Sequence, residues 1–173
     1  GSFTASNGPA SGLTSTDIGV AEPGNTPVGQ SLQLTGSGQF AEDFAWTGPV
    51  TDSFGNCNSG QVFTGGGSGG PLPLLLSEIA VTPTAGEFIE IHNPNGVAVE
   101  LSDVYLTDAT FATGGAFYYN IVTGILASTG GGGFGDFNAL FPDGASIPPG
   151  GYQTIALTGS ADFIAAYAVA PDY

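Results

Sequence analysis

Short stretches of alternating apolar and polar residues recur along the chain. Positions 31–35 (Ser-Leu-Gln-Leu-Thr) alternate without a break, and Phe44 and Trp46 fall on one side of the stretch 43–47. A period of two places every second side chain on the same face of a β-strand. Both stretches are therefore predicted to be half-buried strands, and 61–63 is a further short candidate.

Glycine and proline interrupt the chain at short intervals, and the segments between them are rich in Val, Ile, Thr, Phe and Tyr. This pattern predicts an all-β sandwich. The predicted strands of the C-terminal part are 74–81, 87–92, 97–101, 104–107, 117–122 and 152–157. Helix is predicted at 160–168, where Phe163 and Tyr167 share a face and Pro171 follows, with a shorter helical turn at 136–140.

A glycine-rich stretch, 65–71, divides the chain by composition. Gly and Ser at this density are typical of a flexible linker. We therefore predict an extended and β-strand segment at 1–64 and a larger β-domain at 72–173. Two or three strands do not form a stable sheet alone, so the N-terminal segment is expected to pair with strands elsewhere.

The charge of the chain has one sign only. It has no Lys or Arg, against fifteen Asp and Glu and one histidine, His92. Lys and Arg are the usual ligands of phosphates, so nucleic-acid binding is not expected. Fifteen unpaired negative charges favour a medium rich in salt or calcium, and we predict an extracellular or cell-surface location. No apolar stretch approaches the roughly 20 residues that cross a bilayer, so membrane insertion is not expected.

Five blocks after the linker carry a resemblance to a known family. They are LSEI at 76–79, EFIEIHN at 87–93, ELSDVYLTD at 100–108, FPDG at 141–144 and IPPGGY at 147–152. In this order they resemble the lamin tail domain of secreted bacterial proteins, over about residues 72–173. The resemblance implies an immunoglobulin-like β-sandwich, and parts of 1–64 resemble the closing strands of such a domain. The family would continue with further strands after 170–173.

A sandwich that lacks its last strands leaves unpaired edges and apolar faces. We expect another copy of the chain to cover them by β-strand complementation, with Leu32, Leu34, Phe44 and Trp46 as assembly residues. Such contacts between unlike surfaces build a homopolymer or filament unless they close a ring. Two alternatives stay open: the chain is part of a longer protein, or its two halves complete each other.

The polar residues suggest two kinds of chemistry, calcium binding and a nucleophilic pair. Calcium prefers oxygen ligands, and the candidate calcium ligands are the loop acids Asp103, Asp108, Asp136 and Asp143, with Asn138. No Asp-x-Asp-x-Asp loop exists, and solvated surface carboxylates are the alternative. Cys57 and His92 lack a motif for a nucleophilic pair, so Cys57 is interpreted as a small semi-buried residue, with an intermolecular disulfide as the alternative.

These patterns together predict a protein that is not an enzyme. The expected function is a structural or adhesive module outside the cell, self-associating as a filament or surface-layer subunit, with calcium as the one candidate cofactor. The alternative is an accessory domain of a secreted nuclease or phosphatase, because bacterial domains of the resembled family are often joined to such enzymes.

Overall fold

The computed structural model describes residues 1–6, 8–64, 71–107 and 138–173. Within these ranges the protein is all-β with one α-helix. The elements are β1 (Gln30–Gly38), β2 (Phe44–Thr51), β3 (Gln61–Phe63), β4 (Leu75–Ala80), β5 (Phe88–His92), β6 (Val99–Glu100), β7 (Tyr105–Thr107), β8 (Asn138–Leu140), β9 (Ser146–Ile147), β10 (Tyr152–Ala156) and α1 (Ser160–Tyr167). Single 3₁₀ turns lie at Ala41–Asp43 and Thr84–Gly86.

The chain forms two compact units. The first unit comprises Gly1–Asp17 and Glu100–Ser146, and the second comprises Ile18–Val99 and Ile147–Tyr173. The second unit holds a sheet of order β10-β5-β4-β1-β2, in which β3 pairs in parallel with β1. Its other pairs are antiparallel, and they join strands from both sides of the glycine-rich stretch.

Two neighbouring rows of residues cross four strands of this sheet. One row is aliphatic and consists of Leu32, Ile79, Ile89 and Ile155. The next row is polar and consists of Gln33, Glu78, Glu90 and Thr154. Successive residues of a strand point to opposite faces, so the rows occupy opposite faces of the sheet. All four polar side chains are buried, whereas Ile79 and Ile89 are only half-buried.

Two apolar clusters pack within the second unit. Helix α1 contributes Phe163 and Tyr167 to an aromatic cluster with Phe54 and Phe88, whose ring centroids lie 4.6–5.9 Å apart. A second cluster contains Leu34, Phe44 and Leu75, with Trp46 and Phe63 packed against it. Aromatic pairs at such distances add about 0.5–1.5 kcal/mol beyond the area they bury.

The first unit contains shorter pairings. Thr4 and Thr14 form an antiparallel bridge, with their hydroxyl oxygens 2.8 Å apart. Strands β7 and β8 pair antiparallel from Tyr105 opposite Leu140. Its buried apolar side chains among the described residues are Ala5, Leu101, Phe141 and Ala145.

The structure confirms the all-β prediction and the helix predicted at 160–168. The helical turn predicted at 136–140 is wrong, because its described part, Asn138–Leu140, is strand β8. These residues take the extended conformation because β7 offers them a pairing partner, which the local pattern does not reveal. The strand predicted at 117–122 lies outside the described residues.

Strands from the two sides of the predicted linker pair with each other. β1 and β4 pair directly, Leu32 opposite Ile79, so for these strands the two sides of the predicted linker complete each other within one chain. That was one of the open alternatives. Leu32, Leu34 and Phe44 are buried in the second unit and Trp46 is half-buried. Their role in assembly, and the domain boundary at 65–71, stay predictions.

Across the described ranges, no helix has both the length and the apolarity needed to span a membrane.

Candidate functional site

Two glutamate side chains lie side by side inside the second unit. Glu78 on β4 and Glu90 on β5 are direct partners across the antiparallel pair, and neither has exposed surface. Cβ atoms of opposed residues lie about 4.5–5.5 Å apart, so the carboxyl groups project from neighbouring points of one face. The chain contains no Lys or Arg to neutralise them. Buried carboxyl groups without cations require hydrogen-bond donors instead.

Neutral donors surround Glu78. Its Oε1 accepts a hydrogen bond from Ser31 Oγ at 2.5 Å and a longer one from Gln33 Nε2 at 3.4 Å. Ser53 donates its backbone N–H to Oε1 and its hydroxyl to Oε2, each at 3.0 Å. Both oxygens of Glu78 are therefore partnered, by β1 on one side and by the loop after β2 on the other.

Glu90 has a similar set of partners. Its Oε1 accepts a hydrogen bond from Ser77 Oγ at 2.6 Å, and its Oε2 accepts from the backbone N–H of Gly55. Gly55 has φ 77°, a left-handed conformation that glycine adopts without strain. A glycine is therefore the residue best suited to present its N–H to the buried carboxyl group.

The loop at 52–58, here called the cap loop, covers the polar row. Between its two donors to the carboxyl groups, Phe54 inserts its ring into the aromatic cluster, 5.5 Å from Phe88. At the far end of the loop, Asn58 Nδ2 donates to the backbone oxygens of Leu34 (3.1 Å) and Ser77 (2.7 Å). One apolar anchor and several buried hydrogen bonds thus hold the cap loop against the sheet.

Burial changes the proton affinity of both acids. Desolvation raises the pKa of Glu90 to about 8, although the hydrogen bonds from Ser77 and Gly55 oppose the shift. The neighbouring charges of Glu78 and Asp172 raise it further. Desolvation likewise raises the pKa of Glu78, against the hydrogen bonds from Ser31 and Ser53. At neutral pH Glu90 therefore keeps its proton, and the pair avoids holding two adjacent charges.

Cys57 and Gln61 form a second polar group at the end of the cap loop. The Cys57 thiol donates to the Gln61 backbone oxygen at 3.1 Å, and its sulfur lies 3.6 Å from the side-chain Oε1 of Gln61. The same Oε1 accepts the backbone N–H of Asn58 at 3.2 Å. Gln61 is buried, and among the described residues its Nε2 has no hydrogen-bond partner.

His92 lies in an aromatic stack. Its ring is 4.1 Å from that of Phe63 and 4.3 Å from that of Tyr152. Its Nδ1 lies 3.1 Å from the Gly151 backbone oxygen, which only accepts, so Nδ1 carries the proton. Burial lowers the pKa of His92 to about 4, and the ring is neutral at physiological pH.

Cys57 and His92 are not assembled as a nucleophile and base. Tyr152 stacks on His92. Burial, and then the neighbouring Cys57 side chain, raise the pKa of Tyr152. No contact described in the structure joins Cys57 to the His92 ring. His92 therefore packs and hydrogen-bonds as a structural residue of the sheet.

Two of the candidate calcium ligands are described. Asp103 and Asp143 are exposed residues of the first unit. Asp108 and Asp136 lie outside the described residues, as does the side chain of Asn138. Within the described ranges no group of three or more His, Cys, Asp or Glu side chains is arranged to hold a metal ion.

Sequence reasoning missed the buried glutamates and the cap loop. A signal for Glu90 exists, because this acid lies between Ile89 and Ile91 within a predicted strand. No local signal points to the cap loop, since Ser53, Gly55 and Asn58 read as an ordinary turn. Comparisons with protein-family models, with curated proteins and with solved structures found no match to this chain.

Proposed function

We propose that this protein is a non-catalytic structural or adhesive module that associates with other copies of itself through the outer edge of β2. The observation that carries the proposal is the state of that edge. β2 pairs with β1 on one side, and no described strand pairs with its other side. An unpaired strand edge offers a row of N–H and C=O groups to another chain.

The composition of β2 supports this use. Its eight residues, Phe44–Thr51, include no charged side chain, although charges are a common protection of edge strands. Pro49 removes one N–H from the ladder, which leaves Phe44 to Thr47 as the part suited to regular pairing. The opposite edge differs, because on β10 the Ala156 N–H donates to Tyr173 O and the Thr154 N–H to Asp172 Oδ2.

The edge also suits a chain that has one sign of charge. Copies with fifteen carboxylates and no Lys or Arg cannot attract each other by complementary charge. Backbone hydrogen bonds and apolar burial need no such complementarity. Pairing of β2 with β2 closes a twofold dimer, whereas a contact of β2 with a different surface of the next copy continues into a filament unless it closes a ring.

We propose an immunoglobulin-like sandwich of the lamin tail type, an extracellular or surface location, and calcium as the accompanying cation. The all-β fold and the absence of Lys and Arg are compatible with each of them.

One substitution tests the edge. Ala45 is an exposed residue of β2, and Ala45→Lys places a charge where a second strand would pair. Val97→Lys is the matched control, because Val97 is 64% exposed, lies outside the strands and gains the same charge. Sedimentation velocity over a range of concentrations, with electron microscopy, measures association.

The wild-type protein and Val97→Lys are expected to form dimers or longer species as concentration rises, and Ala45→Lys is expected to stay monomeric. A wild-type protein that remains a monomer at every concentration overturns the proposal. Equal loss of association in the two lysine variants overturns the assignment to β2.

A further inference from the structure

The Cys57 and Gln61 side chains lie against each other at the end of the cap loop. Sγ of Cys57 is 3.6 Å from Gln61 Oε1, and the carbonyl carbon Cδ lies one C=O bond, about 1.2 Å, from that oxygen. A thiol therefore lies beside an amide carbonyl. Cys57 itself is an exposed residue.

The Gln61 amide has features of an acyl group prepared for attack. Its Oε1 accepts the Asn58 backbone N–H at 3.2 Å, a contact that would stabilise negative charge developing on this oxygen. Its Nε2 is buried within a side chain that is 5% exposed, and it has no partner among the described residues. A buried N–H₂ group without an acceptor is unfavourable, and its removal as ammonia would relieve that cost.

We propose that Cys57 and Gln61 form an internal thioester. The Cys57 sulfur bonds to Gln61 Cδ, the Cδ–Nε2 bond breaks, and the thiol proton leaves with the amide nitrogen as ammonia. The step exchanges one acyl substituent for another, so it requires no oxidant or reductant.

A thioester at this position is an acyl donor for a primary amine on another molecule. Attack by the amine forms an amide at Gln61 Cδ and returns Cys57 to a free thiol. These 173 residues contain no lysine, so no side chain among them offers a primary amine. The expected amine donor is therefore a lysine-rich partner. The site is distinct from the β2 edge and does not depend on the proposed self-association.

The mass of the intact wild-type protein tests the bond directly. A thioester lowers the mass by one ammonia and leaves no titratable thiol. Treatment with methylamine is expected to add one methylamine to the thioester form, located at residue 61 by peptide mapping, and to expose one thiol per chain. Hydrolysis during purification is expected to leave Glu at position 61 together with a free thiol.

Two variants separate this chemistry from ordinary deamidation. Cys57→Ser keeps a hydroxyl in place of the thiol, and Gln61→Glu removes the amide leaving group. Both are expected to incorporate no methylamine, and Cys57→Ser is expected to retain Gln at position 61. Wild-type protein of full mass, with Gln intact at 61 and one titratable thiol, overturns the proposal whether or not the variants fold. Conversion of Gln61 to Glu at the same rate in Cys57→Ser also overturns it.

Discussion

The Glu90 carboxyl group has a pKa of about 8 in the folded protein, against an ordinary 4.5, chiefly because it is buried. His92 is shifted the other way, from 6.5 to about 4, also by burial. Each shift makes the free energy of unfolding depend on pH, because unfolding restores the ordinary value. Between pH 4.5 and about 8, unfolding therefore releases a proton from Glu90. Between about pH 4 and pH 6.5, unfolding takes up a proton at His92.

We predict a loss of stability on the alkaline side of neutrality. Between 4.5 and 6.5 the Glu90 and His92 effects oppose each other, whereas from 6.5 to about 8 that of Glu90 acts alone. Stability falls where the folded state holds more protons, by at most about 1.4 kcal/mol per pH unit for one proton. The raised pKa of Glu78 acts in the same direction. Urea unfolding across this range should therefore show a falling free energy of unfolding.

Two variants assign the pH dependence to these residues. Glu90→Gln replaces the protonated acid by a neutral side chain of similar shape, so the free energy of unfolding should fall less steeply above about pH 6.5. Glu42→Gln changes an exposed residue and should leave the wild-type fall unchanged. His92→Phe retains an aromatic ring between Phe63 and Tyr152 but removes the opposing proton, so its fall should begin near pH 4.5. Wild-type stability that is constant or rises toward pH 8 contradicts this assignment.

At the scale of the element, the cap loop depends on Asn58. Its Nδ2 satisfies two buried backbone oxygens, those of Leu34 and Ser77, and its Oδ1 shares the Ser53 hydroxyl with Glu78. Asn58→Ala leaves the two backbone oxygens without this partner, at a cost of about 1–3 kcal/mol. Asn56→Ala is the control in the same loop, because Asn56 is exposed and its side chain makes only a local bond of 3.4 Å to Phe54 O. Denaturant unfolding that shows equal losses in the two variants would contradict this role for Asn58.

The elements differ in how far the sequence predicts them. The alternation of Phe88 to His92 predicts β5 but not which of its faces is covered; in the structure Phe88, Glu90 and His92 are the more uniformly buried set. Local pattern cannot reveal this, because the cover comes from α1 and from a loop that is distant in sequence. For the same reason the donors to Glu90, which lie 13 and 35 residues away, could not be paired with it in advance.

At the scale of the whole molecule, fifteen carboxylates repel one another with no Lys or Arg among them. Salt screens exposed charges, with a Debye length of about 10 Å at 0.1 M and about 3 Å at 1 M. The folded state holds these charges closer together than the unfolded chain does, so screening favours folding. Screening also weakens the repulsion between copies that approach along β2. Stability and association are therefore both expected to rise with ionic strength.

Calcium and sodium separate screening from binding. At matched ionic strength, sodium chloride and calcium chloride should raise the melting temperature equally if the carboxylates are only screened, whereas bound calcium adds a further rise that EGTA reverses. We predict that further rise. Asp103→Asn and Asp143→Asn should reduce it, because both remove an exposed candidate ligand, whereas Asp162→Asn, on α1 in the other unit, should not. Equal melting temperatures in the two salts contradict calcium binding, and an effect that Asp162→Asn reduces as much as the other two contradicts the named ligands.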